Sequence, residues 1–372
     1  MTETKHIDPH TEPSQKGRSR PTVVDIAKHA GVSIATVSRV LNGQPRIARE
    51  TRERVLNALH QVGYEPRILQ KLGYELHNGT VEPTQEPLLI GLNCVTMDHG
   101  VYTDILSGAV EALHAYNARP VICPIPRRHN CNMNLLERFM DHSTVGGLII
   151  GSTEKDEEVK EGMRQNYPCV IIYPDHQVSE GIPVVASANW NGSKIATEYL
   201  IGLGHTAIGV LKYSHDLFTH NYIAQERFAG YQSAMLTAGL TIEPHFVFEC
   251  ESPDRRDGYK AGKYLLSLPH PPTAIVANSD TLAVGVLRAA QEMGVRVPQE
   301  LSLIGFDDTE HARASLPGLT TIRQPFEEMG RVGVDMLFRL LDGRPLDVSR
   351  VELAARLLIR ESTAPVRDRA SN

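Results

Sequence analysis

The sequence predicts a small all-α head followed by an α/β body of two doubly wound lobes with parallel sheets. Near the N-terminus, apolar residues recur at helical spacing in three short segments separated by Gly31 and by Asn42-Gly43, which is typical of a compact helical unit. From Leu88 onward, short apolar runs alternate with helix-period segments, as in parallel sheets connected by helices. This part spans about 275 residues, more than one doubly wound sheet needs, so we expect two lobes.

Three helices are predicted in the head. Thr22 is a candidate N-cap for the first, which ends at Ala30, and Ser33 is a candidate N-cap for the second, which spans residues 34–41. The third runs from about residue 49 to 62, where apolar residues fall on one face. The predicted organisation is then an arm (1–20), a helix-turn-helix head (21–66), a hinge or linker without periodicity (67–86), the two-lobed body (87–361) and a tail (362–372).

Seven apolar runs in the body are candidate strands. They occupy residues 88–92, 121–125, 147–150, 169–172, 207–211, 274–277 and 301–306. Ligands of open α/β sheets bind beyond the carboxyl ends of the strands, so a cleft between the two lobes is the predicted pocket.

Charge is distributed unevenly along the chain. The whole chain has 38 Lys+Arg against 44 Asp+Glu, a formal charge of −6, yet residues 16–72 contain eleven basic and four acidic side chains. A basic head on an acidic body indicates nucleic-acid contact at one end, although an ordinary solvated charged face is an open alternative.

Composition excludes several classes of protein. The five cysteines are odd in number and scattered without a CxxC pair, so neither a disulfide framework nor a metal site is indicated. The polar N-terminus lacks an apolar h-region, and the apolar runs are far shorter than the ~20 residues of a membrane span. We therefore expect a cytoplasmic protein without membrane contact.

Residues 23–43, VVDIAKHAGVSIATVSRVLNG, have the layout of a helix-turn-helix. Ala27 is a small residue inside the first helix, Gly31 stands at the tight turn, and Val37 and Val40 can pack the second helix on the first. Side chains on the outer face of the second helix would then meet base edges in a major groove. A small helical bundle that merely docks on the body is the alternative.

The stretch 21–66, with DIAKHAGVSIATVSRVLNG and TRERVLNALHQVGYEP, resembles the DNA-binding head of the lactose-repressor (LacI/GalR) family of bacterial transcription regulators. In the body, IATEYLIGLGHTAIGVL, RFAGYQSAM, SDTLAVGVLRAAQEMGVRVPQELSLIGFDD, LPGLTTIRQP and LLIRESTAP are similar to family segments in the same order. The resemblance covers about residues 21–365. It implies a periplasmic-binding-protein-like body, a homodimer on near-palindromic double-stranded operator DNA, and a small-molecule effector between the lobes.

The resemblance assigns roles in the head. Ile34 and Ala35 fall at base-reading positions and can read only apolar features such as thymine methyls, whereas Arg39 can contact a guanine bidentately. Other DNA-facing residues are Thr22, Ser33, Thr36 and Ser38, as phosphate contacts, and Asn42. In the linker, Leu72 stands one place before the position of the family's wedge leucine, so the hinge either inserts with a one-residue deletion or does not insert.

The resemblance also implies effector contacts at the mouth of the cleft. They are His99, Tyr102, Tyr173, Arg227, Ser279, Asp307, Gln324 and Phe326. Arg227 matches an arginine that forks onto the ligand, but an interlobe salt bridge is an alternative. Asp307 or Asp308 can instead cap the following helix, and Phe326 and Tyr102 can be core residues.

Two departures from the family concern the effector. Tyr173-Pro174 stands where members often have Asp-Arg, and Ala188 stands where they often have Asp. Fewer acids suit a ligand with fewer donors or some negative charge, and the family resemblance implies a sugar or sugar derivative.

Other function classes fit poorly. The sequence contains no GxGxxG, GxxxxGK[ST], HExxH or GxSxG motif, so we predict neither an enzyme nor a bound cofactor. A periplasmic solute-binding protein would need a signal peptide and would not begin with a basic helix-turn-helix.

Overall fold

The computed structural model describes residues 23–41, 48–62, 74–77, 80–83, 87–94, 100–124, 139, 143–151, 156–213 and 222–366. The chain divides into two compact units, residues 1–86 and 87–372. Within the described ranges, no helix is both long enough and apolar enough to cross a lipid bilayer.

The first unit contains three helices and a β-hairpin. The helices are α1 (Val23–Ala30), α2 (Ile34–Leu41) and α3 (Arg49–Gln61), and β1 (Tyr74–His77) pairs antiparallel with β2 (Thr80–Pro83). The helix ends agree with the predicted ones to within one residue. The hairpin lies in the segment predicted to be an irregular linker, because backbone pairing needs no apolar period.

Apolar side chains from all three helices form the core of the head. Ile26 of α1, Val37 and Val40 of α2, and Leu56 and Leu59 of α3 are almost completely buried in one cluster. Residues three or four positions apart share one helix face, so each helix turns a single apolar stripe inward and leaves its other face to solvent.

The second unit contains two six-stranded sheets. Its strands are β3 (Leu88–Cys94), β4 (Ala118–Pro124), β5 (Gly146–Ile150), β6 (Cys169–Ile172), β7 (Val184–Ser187), β8 (Ile208–Tyr213), β9 (Val247–Cys250), β10 (Ala274–Ala277), β11 (Ser302–Asp307), β12 (Thr320–Arg323), β13 (Arg350–Leu353) and β14 (Arg356–Leu358). Its helices are α4 (Gly100–Ala115), α5 (Asp156–Arg164), α6 (Asn189–Gly202), α7 (Tyr222–Thr237), α8 (Arg255–Leu266), α9 (Asp280–Glu292), α10 (Glu310–Ala314) and α11 (Phe326–Leu341), with a 3₁₀ turn at Pro244–Phe246.

The sheet of the N-terminal lobe has the order β13-β7-β6-β5-β3-β4, and all of its pairs are parallel. One of its faces packs against α4 and α11 through residues such as Leu148, Ile172 and Leu337. The other face packs against α5 through Ile171 and Val159. The strands are therefore covered on both faces, as expected for a parallel sheet.

The sheet of the C-terminal lobe has the order β14-β12-β11-β10-β8-β9, with only β14 antiparallel to its neighbour. Helices α8 and α9 cover one face through residues such as Leu265 and Val286. Helices α6 and α7 cover the other through Leu200 and Tyr231. The predicted fold class, a helical head with an α/β body of two doubly wound lobes, is confirmed.

The described chain passes between the two sheets three times. It leaves the N-terminal lobe after β7, returns between β12 and α11, and crosses again between β13 and β14. The first and third crossings are bonded to each other, because the Ala188 backbone N–H donates to the Leu353 carbonyl oxygen at 2.9 Å. The carboxyl ends of β7 and β13 therefore lie side by side where the chain crosses between the lobes.

Candidate functional site

Gly31 forms the turn between the two helices of the head motif. Its φ of +63° lies in the left-handed region, which a side chain disfavours. The N–H of the next residue, Val32, donates to the carbonyl oxygen of Ala27 at 3.1 Å and so closes the end of α1. The sequence-based requirement for glycine at this turn is confirmed.

The predicted base-reading side chains lie on the solvent face of α2. Ile34 is 53% exposed, and Ala35, Ser38 and Arg39 are exposed, while Thr36 is half-buried. A large apolar side chain and an arginine that are both exposed on one helix fit a surface that contacts base edges.

The N-terminal end of α2 is capped as predicted. The Ser33 hydroxyl accepts from the Thr36 N–H at 3.1 Å and lies 2.9 Å from the Thr36 hydroxyl. The phosphate contacts assigned to these two residues and to Ser38 remain predictions. Among the other predicted site residues, Thr22, Asn42, Leu72 and His99 lie outside the described residues.

Arg227 is the centre of a polar network in the body. It lies on α7 and is only 2% exposed. Its Nε donates to Asn189 Oδ1 at 2.9 Å, and its Nη1 donates to the backbone oxygen of Asn278. Its Nη2 donates to Tyr173 Oη at 3.0 Å and to Asp307 Oδ1 at 3.2 Å. The planar guanidinium thus connects several segments of the chain.

The charge of Arg227 is compensated within its own lobe. Arg227 on α7 and Asp307 at the end of β11 both belong to the C-terminal lobe, so the alternative of an interlobe salt bridge is wrong. The ring of Phe306 lies 3.7 Å from the guanidinium carbon, at cation–π distance. Burial alone would lower the pKa of Arg227, but Tyr173 and Asp307 together raise it, so the side chain is a cation.

Gln324 joins the same network from the crossover after β12. Its Nε2 donates to Asp307 Oδ1 at 2.5 Å and to Tyr173 Oη at 3.2 Å. Phe326, two residues later, is 4% exposed in the apolar cluster of the N-terminal lobe, which fits the alternative of a core residue. Tyr102 is partly buried against that cluster.

Ser279 stands at the start of α9 and has structural partners. Its hydroxyl oxygen accepts from the Leu282 N–H at 3.3 Å, which makes it the N-cap of the helix, and from the Tyr213 hydroxyl at 2.8 Å. Next in the chain, burial raises the pKa of Asp280 to about 7. The buried hydroxyl of Ser279 therefore holds the N-terminal end of α9.

Asp308 is buried among arginines and does not cap α10. Its carboxylate lies 2.7 Å from Arg323, 2.5 Å from Arg360 and 3.8 Å from Arg313, and its side chain is 2% exposed. The helix is preceded by Thr309 instead. The capping alternative is wrong for Asp308, because charge compensation dominates once a carboxylate is buried.

Comparison with known proteins decides the family. Residues 22–67 match the model of the bacterial regulatory proteins of the lacI family, and residues 197–363 match a periplasmic binding protein-like domain. The PurR transcriptional repressor of Pectobacterium atrosepticum is 30% identical over 358 residues, covering 93% of this chain and 98% of that protein. This chain belongs to the LacI family.

Other members of the LacI family match over the same length. The ribose operon repressor of Halalkalibacterium halodurans is 29% identical over 349 residues, covering 92% of this chain and 97% of that protein. The structure of the transcriptional regulator CelR in complex with cellobiose has a TM-score of 0.66 at 26% identity, covering 92% and 100%. The lac repressor dimer bound to operator has a TM-score of 0.64 at 25% identity, covering 93% and 100%.

Some residues of the network in this LacI-family chain were not predicted as site residues. Asn189 and Asn278 hold Arg227, and Ser187 lies at the first interlobe crossing. Ser187 Oγ, Asn278 Nδ2 and Gln324 Oε1 are buried without a hydrogen-bond partner among the residues that the structure describes. Buried polar atoms are normally satisfied, so these three suit a polar ligand. The available signal was position, because Ser187 is the last residue of β7, and Asn278 and Gln324 directly follow β10 and β12 at the strand ends where such sheets bind ligands.

Proposed function

We propose that this chain is a transcriptional repressor that binds operator DNA through α2 and changes its operator affinity when a small polar effector binds between the lobes. The Arg227 network carries the proposal. It gathers a buried cation, a carboxylate and two amides at the carboxyl ends of strands, the place where open α/β sheets bind ligands. The role is binding rather than catalysis, and operator binding places it in the cytoplasm.

A carbohydrate or carbohydrate derivative is the effector class that the site supports best. The relatives include a ribose operon repressor and a regulator in complex with cellobiose. The guanidinium fork of Arg227 and the amides of Asn278 and Gln324 suit ligand hydroxyl, carbonyl or carboxylate oxygens. Tyr173 and Ala188 replace two acids common in the family, so an effector with fewer donors or some negative charge fits.

A ligand screen tests the proposal. A compound that binds only the folded protein raises its unfolding midpoint by mass action, so thermal shift of the full chain against pentoses, hexoses, disaccharides, sugar acids and nucleosides should identify the class. Each compound that stabilises the protein is then added to a fluorescent operator titration. The proposal requires at least one compound that does both, and it fails if stabilising compounds leave operator binding unchanged.

We further propose that the regulator is a homodimer, as the lac repressor is in its operator complex. A candidate surface for the partner is a groove beside α9 that both apolar and polar side chains line. It has a volume of about 410 Å³ and is lined by residues that include Leu287, Val295 and Val297. Leu316, which also lines the groove, is 94% exposed and therefore available to a partner.

Leu316→Asp is expected to convert the dimer to monomers, because a charge in an apolar interface is left desolvated and unpaired. Sedimentation velocity at micromolar concentrations measures the change, and operator affinity should fall at least about tenfold when the two heads are no longer linked. Leu236→Asp is the matched control, because Leu236 is an exposed leucine (69%) on α7, away from the groove. A dimeric Leu316→Asp protein would place the interface elsewhere.

A further inference from the structure

Tyr173 reaches across the cleft from one lobe to the other. It directly follows β6 of the N-terminal lobe, and its hydroxyl oxygen accepts from Arg227 Nη2 at 3.0 Å and from Gln324 Nε2 at 3.2 Å. Arg227 lies on α7 of the C-terminal lobe, and Gln324 follows β12 of that lobe. A single phenol hydroxyl therefore connects the two lobes through donors that the proposed effector would use.

The ring of Tyr173 packs closely against its neighbours and leaves little empty space beside it. It makes an edge-to-face contact with Phe326, with centroids 5.3 Å apart and planes at 89°, and Tyr102 makes a second edge contact at 6.4 Å. The cavity that Tyr173 lines together with Ser187 and Asn189 has a volume of about 10 Å³. That is roughly the space of one water, whereas small-molecule pockets measure roughly 300–1,000 Å³.

The backbone of Tyr173 is held in an uncommon conformation. Its φ of +56° lies in the left-handed region, which a bulky residue adopts only where the surroundings impose it. On one side, the Tyr173 N–H donates to the Val185 carbonyl oxygen at 2.8 Å. On the other, His176 lies 2.9 Å from Asp156 Oδ1 and the Ser179 N–H donates to Asp156 Oδ2 at 2.6 Å. The loop is anchored so that the phenol points at Arg227.

The same loop makes a second contact between the lobes. The Tyr222 N–H, at the start of α7, donates to the carbonyl oxygen of Asp175 at 2.7 Å. Burial raises the pKa of the Tyr173 phenol, so the hydroxyl is neutral. The lobes are thus joined by a side-chain contact and a backbone contact only two residues apart in the chain.

We propose that Tyr173 is an internal latch: in the effector-free protein its hydroxyl occupies the donors of Arg227 and Gln324 and holds the lobes together, and an effector binds by displacing it. This inference rests on the proposed function, because it names how that site is regulated. Because only molecules with an open latch can bind the effector, the apparent affinity equals the intrinsic affinity multiplied by the fraction of molecules in which the latch is open.

The latch differs from an ordinary ligand contact in its effect on the free protein. If Tyr173 only contacted the effector, removing its hydroxyl would not change how the two lobes are held together in the effector-free protein. Removal of a latch would leave Arg227 Nη2 and Gln324 Nε2 bonded to Asp307 of their own lobe but no longer to the opposite lobe, and the lobes would separate more often.

Hydrogen exchange of the full-length, effector-free protein tests the latch. The reporter is the Tyr222 amide, whose partner lies on the opposite lobe. In Tyr173→Phe we expect this amide to exchange roughly tenfold faster than in the wild type, the effect of removing a hydrogen bond and leaving its donor buried. Exchange at that site equal to the wild type overturns the latch.

Tyr231→Phe is the matched control. Tyr231 is also buried, and its hydroxyl donates to the Ile208 carbonyl oxygen at 2.8 Å within the C-terminal lobe. It should leave exchange at Tyr222 unchanged, and an equal acceleration in both variants would overturn the latch by showing general loosening. The comparison needs no effector, so failure of the ligand screen, which concerns the proposed function, is distinguishable from failure of the latch.

Discussion

Arg227→Ala is expected to abolish the effector-dependent change in operator affinity. The substitution removes the guanidinium at the centre of the network and with it the fork that faces Tyr173 and Asp307. It also leaves the partly buried Asp307 carboxylate without this cation, which costs at most about 3–5 kcal/mol of the free energy of unfolding. Operator titrations with and without a compound from the ligand screen measure the first effect, and urea unfolding measures the second.

Two further variants separate the loss of ligand binding from the loss of stability. Arg227→Lys keeps a cation near Asp307 but cannot form the fork, so it should be more stable than the alanine variant and still fail to respond. Arg296→Ala removes an arginine from an exposed ion pair with Glu300, so both properties should be unchanged. The Arg227 variants should still bind operator without effector, because every residue of the head is unchanged. A normal effector response in either variant would remove Arg227 from the site.

The fold of the head could be predicted from the sequence because the interactions that determine it are local in the chain. On α2, Val37 and Val40 are three residues apart and both are buried, whereas Ala35 and Arg39 are four apart and both are exposed, because residues three or four apart share a helix face. Gly31 was predictable for the same reason, because a positive φ restricts residue type. The nearby hairpin carried a signal too: in the sequence, Asn78-Gly79 separates its strands, and such pairs favour two-residue hairpin loops.

The contacts in the cleft were harder to predict from the sequence because they join residues that are far apart in the chain. Arg227 was recognisable from RFAGY, but its partners Asn189 and Asn278 stand 38 and 51 positions away. The sequence already showed that Tyr173 stands where members of the family often have Asp. Only the fold shows that the replacing phenol bonds to Arg227 across the cleft. Composition and spacing do not encode such a contact.

Arg39→Ala is expected to reduce the sequence specificity of the head together with its affinity. Arg39 is exposed in the last turn of α2, on the face that also exposes Ala35. A bidentate arginine–guanine contact contributes about 1–3 kcal/mol of discrimination, so affinity for operator should fall roughly 5- to 150-fold more than affinity for random DNA. Titrations of both duplexes at several salt concentrations measure the two effects separately.

Lys28→Ala provides the contrast, because Lys28 is an exposed cation at the end of α1, outside the base-reading helix. Any contribution it makes is through phosphate charge, so its removal should weaken operator and random DNA by the same factor and reduce the salt dependence of both. The ratio of the two affinities discriminates between the roles, because removing a base-reading side chain at Arg39 changes this ratio at every salt concentration, whereas removing a phosphate contact does not. If Arg39→Ala weakens both duplexes equally, as expected for Lys28→Ala, then Arg39 contacts the DNA backbone and the base-reading face of α2 is reduced to its apolar residues.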